Sequence, residues 1–535
     1  MKRLVCGLLA LSMLLCLAGC GRKIDNSGYV ATGDAILMEG QEPEDIMPEE
    51  EDTQELVLAY YPDRRLNPLF GSDYTNRVLM SLMYQGLFAV DSKKNVTPIL
   101  CSGYRVSANH RSWTFYVDSN ATFSDGTRVT AEDVVATYEQ ARQNDYYMNR
   151  FRKHLLSVSV TEDGGVLFQT DTSYQNLPLL LDVPIVKASE VQAELPLGTG
   201  PYTFTQGASG AKLLRNPNWW CGNLKIPATD DMIDLVEVSS SADVRDAFQF
   251  GDNPVSVVCT NPMSDSFAEY RCDYELWEIE SGYMMYIGCN IGYSDFFDDG
   301  TLRTALTYAI DREYINDTFY NGLAQPSTLP SSPSSPYYNK SLADKYAYDD
   351  MKFVDAISGL DLPEDKNRQP KKMLILVNCD DSARLRTARY LAQHLTSLGV
   401  PTGTLEYGGS TSVTYEEVLR AGNFDLYLGQ TKLPPTMELT AFFRGWGNLG
   451  FGGITDGTLY NMTKEALANS GNYYNLNQMV ADDAKVIPVL FGANCVYSDR
   501  GQLLDLSPSR DNVFFYTLDK TMESARVTPS ATGEG

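Results

Sequence analysis

Apolar and polar positions alternate between two periods along most of this chain. ELVLAYY at 55–61 alternates and runs into Pro62, predicting a strand that leads into a loop, whereas VLMSLMYQGLF at 78–88 has helical spacing that stops near Gly86. SWTFYV at 112–117 is aromatic and β-branched, as strands are, and Ser124-Asp125-Gly126 after it reads as a turn. Thr130 stands three residues ahead of Asp133, just before the apolar spacing of VVATYEQA, which is a capping-box start for a helix. In LRTALTYAIDREYINDTFY at 302–320, Leu302, Ala305, Leu306, Ala309 and Ile310 form one stripe, predicting a single amphipathic helix. KKMLILV at 371–377 reads as a buried strand and SARLRTARYLAQHLTSLG at 382–399 as a helix with a Ser start and a Gly stop; a strand near 403–407 completes a βαβ unit. PSTLPSSPSSPYY at 326–338 is a Pro/Ser loop. Mixed α/β lobes follow.

The N-terminus departs from this pattern. MKRLVCGLLALSMLLCLAGC has two cations, an apolar run at 4–17 and small residues before Cys20. The run is shorter than the ~20 residues that cross a bilayer as a helix, so it reads as an export signal over 1–19. Residues 20–54 contain EPEDIMPEEEDTQE, broken by Pro43 and Pro48, and read as an acidic tether that swells through like-charge repulsion. The whole chain has 535 residues, 43 Lys+Arg against 69 Asp+Glu and a formal charge of -26. At ~150 residues per domain its length suggests roughly three or four domains or lobes. A surface this acidic repels phosphate backbones, which excludes a nucleic-acid partner.

Candidate chemistry is sparse. The chain has no GxSxG elbow, HExxH, Walker loop or GxGxxG after a strand, so no catalytic residue is assigned and the protein is read as no enzyme. His110, His154 and His394 are widely separated, no CxxC occurs, and no metal or cofactor is expected. Asp298-Asp299-Gly300 is read as a turn placing negative charge at a helix N-terminus. Beyond Cys20 an odd number of cysteines remains, with Cys259 and Cys272 the nearest candidates for a bridge.

Leu17-Ala18-Gly19-Cys20 resembles the lipobox of bacterial lipoproteins, which implies a diacylglycerol on Cys20 and a lipid-anchored protein on the extracytoplasmic face of the cell membrane. Each buried CH₂ of such an anchor adds ~0.8 kcal/mol. The folded body, from about 55 to 518, resembles the family 5 extracellular solute-binding proteins, the dipeptide, oligopeptide and nickel receptors of ABC importers. The resemblance is carried by Asn67-Pro68-Leu69, Met83-Tyr84-Gln85-Gly86-Leu87, Trp113-Thr114-Phe115, Ala121-Thr122-Phe123-Ser124-Asp125-Gly126, Thr130-Ala131-Glu132-Asp133-Val134, Gly198-Thr199-Gly200-Pro201-Tyr202, Asn216-Pro217-Asn218-Trp219-Trp220 and the Leu302 to Arg312 helix, in that order.

That resemblance implies an α/β, two-lobe periplasmic-binding-protein-like fold (type II, with an extra subdomain in the first lobe), its mixed β-sheets flanked by helices and its ligand enclosed between lobes. Residues 55–75, 196–280 and 492–525 would form lobe I, 76–195 the extra subdomain, 281–491 lobe II and 526–535 a tail. Gly198 and Gly200 suit a tight turn with unusual backbone angles, and Trp219-Trp220 suit core or rim. In peptide-binding members, the strand after the βαβ unit leads to a Trp and an acid that pairs with the peptide's amine. Here FDLYLGQTKLPPT at 424–436 lacks the Trp and the Asp-Pro that carries this acid, leaving Glu438 or a group on the other lobe as candidates for the acid. A buried ammonium without a counter-charge is costly. Gly429, Gln430 and Thr431 are expected to line the cleft, where backbone groups can pair with an extended ligand as an added strand. Tyr60, Tyr61, Tyr84, Tyr286 and Asn290 are further candidates, and 33 tyrosines favour a ligand with apolar or planar surface. The implied function is a monomeric receptor that hands a short peptide or similar extended solute to an ABC permease. Opines, oligosaccharides and metal chelates stay open as ligands, and a sensor or secreted hydrolase on the same shell stays open as a function.

Overall fold

The computed structural model describes residues 55–516, apart from 72, 145, 148–149, 151–153, 222–229, 252–253, 263–269, 271–273, 446–448, 500–502 and 504–505. The signal, Cys20 and the tether therefore lie outside the described residues, as does Cys272. Cys259 is a buried free thiol whose ionisation burial pushes up to about 12.

One continuous eleven-stranded sheet runs through the molecule and divides into two halves at a pair of long strands. The outbound strand Tyr274–Cys289 and the return strand Val486–Asp499 pair antiparallel with each other, and their register shifts between Glu280 and Met284 and again between Met285 and Tyr286. Gly282, in the first shift, has φ +80°, a left-handed conformation that only glycine adopts without strain. In the first lobe, Val57–Tyr60 lies parallel to both Met232–Glu237 and Val257–Thr260, and the latter pairs with the end of the return strand. In the second lobe, Met373–Asn378 lies parallel to both Thr402–Tyr407 and Leu426–Lys432, and Leu426–Lys432 pairs antiparallel with the outbound strand. A separate four-stranded sheet, Cys101–Val106, Ser112–Val117, Val166–Thr170 and Leu155–Val160 in that spatial order, shares a core with the first lobe through residues such as Phe115, Tyr138, Leu82 and Leu213.

Local sequence accounts for the boundaries. Thr130 and Asp133 form a reciprocal capping box at the start of Ala131–Ala141. The βαβ unit forms around Ser382–Ser397, but Asp381 is the N-cap, its Oδ1 accepting from the Arg384 N–H at 2.9 Å. The single amphipathic helix expected over 302–320 is broken into Thr301–Ala305, a 3₁₀ turn Leu306–Ala309 and Arg312–Phe319, because Asp311 caps the last piece through the Tyr314 N–H. The stripe survives the break, since Leu302, Ala305, Leu306, Ala309 and Ile310 all enter the second lobe's core. The first helix spans Tyr74–Met83 rather than 78–88, capped by Asp73. Asp298-Asp299-Gly300 is the turn expected before Thr301–Ala305: Gly300, at φ +78°, is the N-cap, and Asp299 Oδ1 accepts from the Thr301 N–H at 2.8 Å.

Gly198 and Gly200 need a different explanation from unusual backbone angles. Neither has positive φ, but a Cβ on either would collide with the backbone carbonyls of Met83 and Leu82, so close approach of the helix end requires glycine there. Trp219 is buried beside them and donates from Nε1 to the Thr199 carbonyl at 2.9 Å.

Candidate functional site

Strand alternation sets the chemistry of the crevice. Along the outbound strand Tyr283 and Met285 point to one side and Met284 and Tyr286 to the other, and on the neighbouring strand Gln430 alternates with Gly429 and Thr431. The side bearing Tyr283, Met285 and Gln430 opens into a cavity of about 250 Å³. Tyr74, Asn261, Pro262 and Asn494 supply its first-lobe wall, and Tyr320, Ala324, Asp381 and Gln430 its second-lobe wall. Tyr320 donates to the Met285 sulfur at 3.1 Å, and Asn321 Nδ2 reaches across to the Pro262 carbonyl at 3.1 Å, so the two walls are joined at the rim. Burial pushes the phenols of Tyr74 and Tyr320 well above their ordinary range, so both are neutral hydroxyls.

Of the residues expected at the site, Gln430 lines this cavity and is exposed within it. Gly429 does not line it: a Cβ there would lie 2.6 Å from the Tyr286 ring, so this glycine makes room for packing inside the second lobe. Thr431 is buried, paired with Met284. Tyr286 packs edge-on against Phe442 at 4.9 Å and Tyr427 at 5.7 Å. Asn290 donates from Nδ2 to the carbonyls of Gly422 (2.7 Å) and Phe424 (2.8 Å), anchoring the entry to Leu426–Lys432. Tyr84 donates to the carbonyls of Leu66 and Pro196. Tyr60 donates to Glu237 at 2.8 Å; burial, helped by that carboxylate, pushes its phenol up to about 12. Tyr61 lies under the Arg64 guanidinium, 3.7 Å from its ring centre. These five side chains are committed to packing and hydrogen bonds within a lobe, which corrects the expectation that they face the crevice.

Asp381, Tyr74, Tyr283 and Asn494 escaped the sequence reading. A signal for Asp381 was present: it lies in the loop after a strand of the βαβ unit, and open parallel sheets bind ligands outside the carboxyl ends of their strands.

Elsewhere buried charge joins the segment 76–195 to the rest of the molecule. Lys94, in the turn of a hairpin beside the four-stranded sheet, donates to Glu280 of the outbound strand at 2.6 Å, both side chains being 3% exposed. Burial alone would raise the Glu280 carboxyl, but Lys94 and then Arg510 hold it below its usual range. Ser334, from the Pro/Ser loop, donates to the same carboxylate at 3.2 Å. His154 sits between Asp171 (Nδ1 to Oδ1, 2.7 Å) and Glu438 (Nε2 to Oε1, 2.8 Å), with the Thr440 hydroxyl at 2.9 Å and Tyr174 donating to the other Glu438 oxygen at 2.9 Å. Burial opposes protonation of this imidazole, but Glu438 and Asp171 together raise it to about 9. Glu438 is thus consumed by a structural pair and is not available to a ligand's amine. The Thr440, His154 and Asp171 arrangement has the order of a nucleophile, base and orienting acid, yet Thr440 is fully buried, none of the three lines the cavity, and Glu438 occupies the base's free nitrogen.

A third cluster involves the chain's last described segment. Asp511 receives Arg150 at 2.6 Å and Tyr146, with Lys432 at 3.6 Å. Burial, with the charges of Arg510, Arg150 and Arg77, pulls the Lys432 ammonium down to about 7 despite that carboxylate. Among the described residues no group of three His, Cys, Asp or Glu is placed to hold a metal ion, and no helix is long and apolar enough to cross a membrane.

Comparison with known proteins fits this architecture. Residues 95–448 match the family model described as bacterial extracellular solute-binding proteins, family 5 Middle. The oligopeptide-binding protein AppA of Bacillus subtilis (strain 168) is 28% identical over 308 residues, 54% of this chain and 55% of its own. The glutathione-binding protein GsiB of Salmonella typhi is 25% identical over 286 residues, 51% of this chain and 55% of its own. The chain thus spans about half the length of the curated relatives it matches. Among solved structures, the unliganded open form of the murein tripeptide binding protein MppA superposes with a TM-score of 0.70 at 14% identity, covering 87% of this chain and 98% of that one. Bacillus subtilis AppA in complex with a nonapeptide gives 0.59 at 20% identity, covering 88% and 100%. At these identities the likeness shows the fold, a two-lobe binding protein.

Proposed function

Because the chain belongs to the family 5 bacterial extracellular solute-binding proteins, we propose that it is the solute receptor of an ABC importer, taking a short peptide or similar solute between its lobes and delivering it to the permease. The observation that carries this reading is the cavity flanking the two crossing strands, with walls from both lobes. Hinge motion at the Gly282 register shift would open and close it, and closure is what a permease can recognise. An extended ligand also has a backbone partner: Met373–Asn378 pairs only as far as Leu428, so among the described residues no strand pairs with the outer edge of 429–432. That the relatives' names specify oligopeptide and glutathione supports a peptide-like solute.

We assign residues 76–195 to a subdomain that moves with the first lobe, and Cys20 to a lipid anchor that leaves the receptor on the extracytoplasmic face, the acidic tether spacing it from the membrane. Hydrolysis is disfavoured by a cavity whose wall, among the described residues, offers one carboxylate and no imidazole. Native mass spectrometry of the protein purified from its own host tests the proposal: co-purified mass that leaves on partial unfolding is expected, and an empty protein that binds no peptide or other small solute would sink it. The same spectra read acylation of Cys20 directly.

A further inference from the structure

Among the described residues, the wall of the interlobe cavity holds a single charged side chain, Asp381. Its remaining polar groups are neutral: the amides of Gln430, Asn494 and Asn261, and the hydroxyls of three tyrosines and Ser281. Asp381 is only partly satisfied. Its Oδ2 accepts from the Arg384 guanidinium at 3.1 Å, whereas Oδ1 accepts only from the Arg384 N–H at 2.9 Å, leaving capacity for a further donor. Arg384 itself does not line the cavity. Lys432, 5.9 Å from the Tyr283 ring centre, is also outside the wall and lies beside Asp511.

Among the described residues an anion would find no cationic side chain in this wall, and the helix N-terminus that would otherwise attract one is already capped by Asp381. A cation would find a carboxylate, together with the faces or edges of Tyr74, Tyr283 and Tyr320, which can hold an ammonium by cation–π attraction. The formal charge of -26 raises the local concentration of cationic solutes in the same sense. The volume of about 250 Å³ lies below the ~300–1,000 Å³ of drug-sized sites, which limits the occupant to a short molecule.

Resting on the receptor reading, we propose that the cavity selects small solutes bearing a free ammonium, of about dipeptide length or less, and that Asp381 is the residue that pairs with the ammonium. The substitution that isolates this is Asp381→Asn, because asparagine is an equally good N-cap; it removes the charge and with it the partly exposed ion pair to Arg384, which contributes little to stability. The full chain would be titrated calorimetrically with dialanine, lysine and putrescine, with N-acetyl-dialanine and succinate as amine-free probes and tetraalanine as the size probe.

At least one of the three amines should bind, with affinity falling about ten- to a hundredfold in Asp381→Asn while the melting temperature holds. N-acetyl-dialanine and succinate should bind both proteins weakly and equally, and tetraalanine more weakly than dialanine. Equal amine affinity in the two proteins overturns the role of Asp381. Binding of N-acetyl-dialanine or succinate in preference to all three amines overturns the ligand class while leaving the receptor reading intact. Amines that fail at millimolar concentration, beside a host-purified protein that carries an amine-free compound, do the same; a host-purified protein carrying nothing, with every probe silent, brings down the receptor reading itself.

Discussion

The cavity lies between the lobes and the charged seam lies where residues 76–195 meet the rest of the chain, and the two are built on opposite principles. Among the described residues the cavity wall is mostly uncharged, with one carboxylate, an exposed Gln430 and three tyrosines. The seam is dense in buried ions, Lys94 with Glu280 and His154 with Glu438, and only Asp171, on the other side of His154, is partly exposed. In a cavity that water can enter, neutral polar groups cost little when empty because water satisfies them. Where two pieces of protein meet, a buried charge is tolerable only with its partner in place, and losing one partner strands the other. Function and stability should therefore separate by mutation.

The largest expected effect is in the seam. His154→Ala should lower unfolding free energy by about 3–5 kcal/mol, because Glu438 is left charged and buried. Denaturant titration checks this, and a loss below 1 kcal/mol would mean that the pair is solvated in solution. Lys94→Met should cost about 3 kcal/mol for the same reason, whereas Lys94→Met combined with Glu280→Leu should recover most of that loss. Failure of the double variant to recover would show that Ser334 and Arg510 make Glu280 indispensable by themselves.

The pH dependence sharpens the contrast. His154 titrates at about 9 in the folded protein and near 6.5 unfolded, so its contribution is complete below about 6.5 and fades as pH rises through about 9. Glu438 is held below its ordinary value, so its contribution is present above about 4.5 and is lost as pH falls through its folded value. Melting temperature should be highest between those limits and decline toward pH 9, and His154→Gln should flatten the alkaline decline.

The smallest effect on stability belongs to the cavity. Gln430→Ala should leave the melting curve within about 0.5 kcal/mol and weaken ligand binding roughly three- to tenfold, measured by calorimetry. Thr431→Trp behaves differently from a cleft substitution: the position is buried, so overpacking should cost about 1–3 kcal/mol whatever happens to affinity.

Much of the fold was legible in the chain because its signals are local. The capping box at Thr130 and Asp133, the βαβ unit around 382–397 and the apolar stripe at 302–310 each depend on residues a few positions apart. The site was less legible. Alternation places Gln430 on one face and Gly429 and Thr431 on the other, but which face meets the crevice depends on pairing with the outbound strand and its register shifts. Tyr84, Tyr286 and Asn290 carry groups suited to ligand contact and spend them on carbonyls and rings far away in sequence, which no local pattern encodes. Asp381 was passed over because the helix start was read at Ser382, one residue beyond the carboxylate that caps it.

The register shift at Gly282 has one further implication, for the order in which the molecule is completed. A side chain there would run into the guanidinium of Arg510, which donates to the Leu433 carbonyl at 2.6 Å, while neighbouring Asp511 receives Arg150 and Phe514 donates its N–H to Ser81. Residues 506–516 therefore act as a keystone, emerging after both halves have been synthesised and locking them around the bend. A released chain ending near 500 would keep the return strand yet leave the pivot unbraced, so the fit of the two halves about the bend would depend on these last residues.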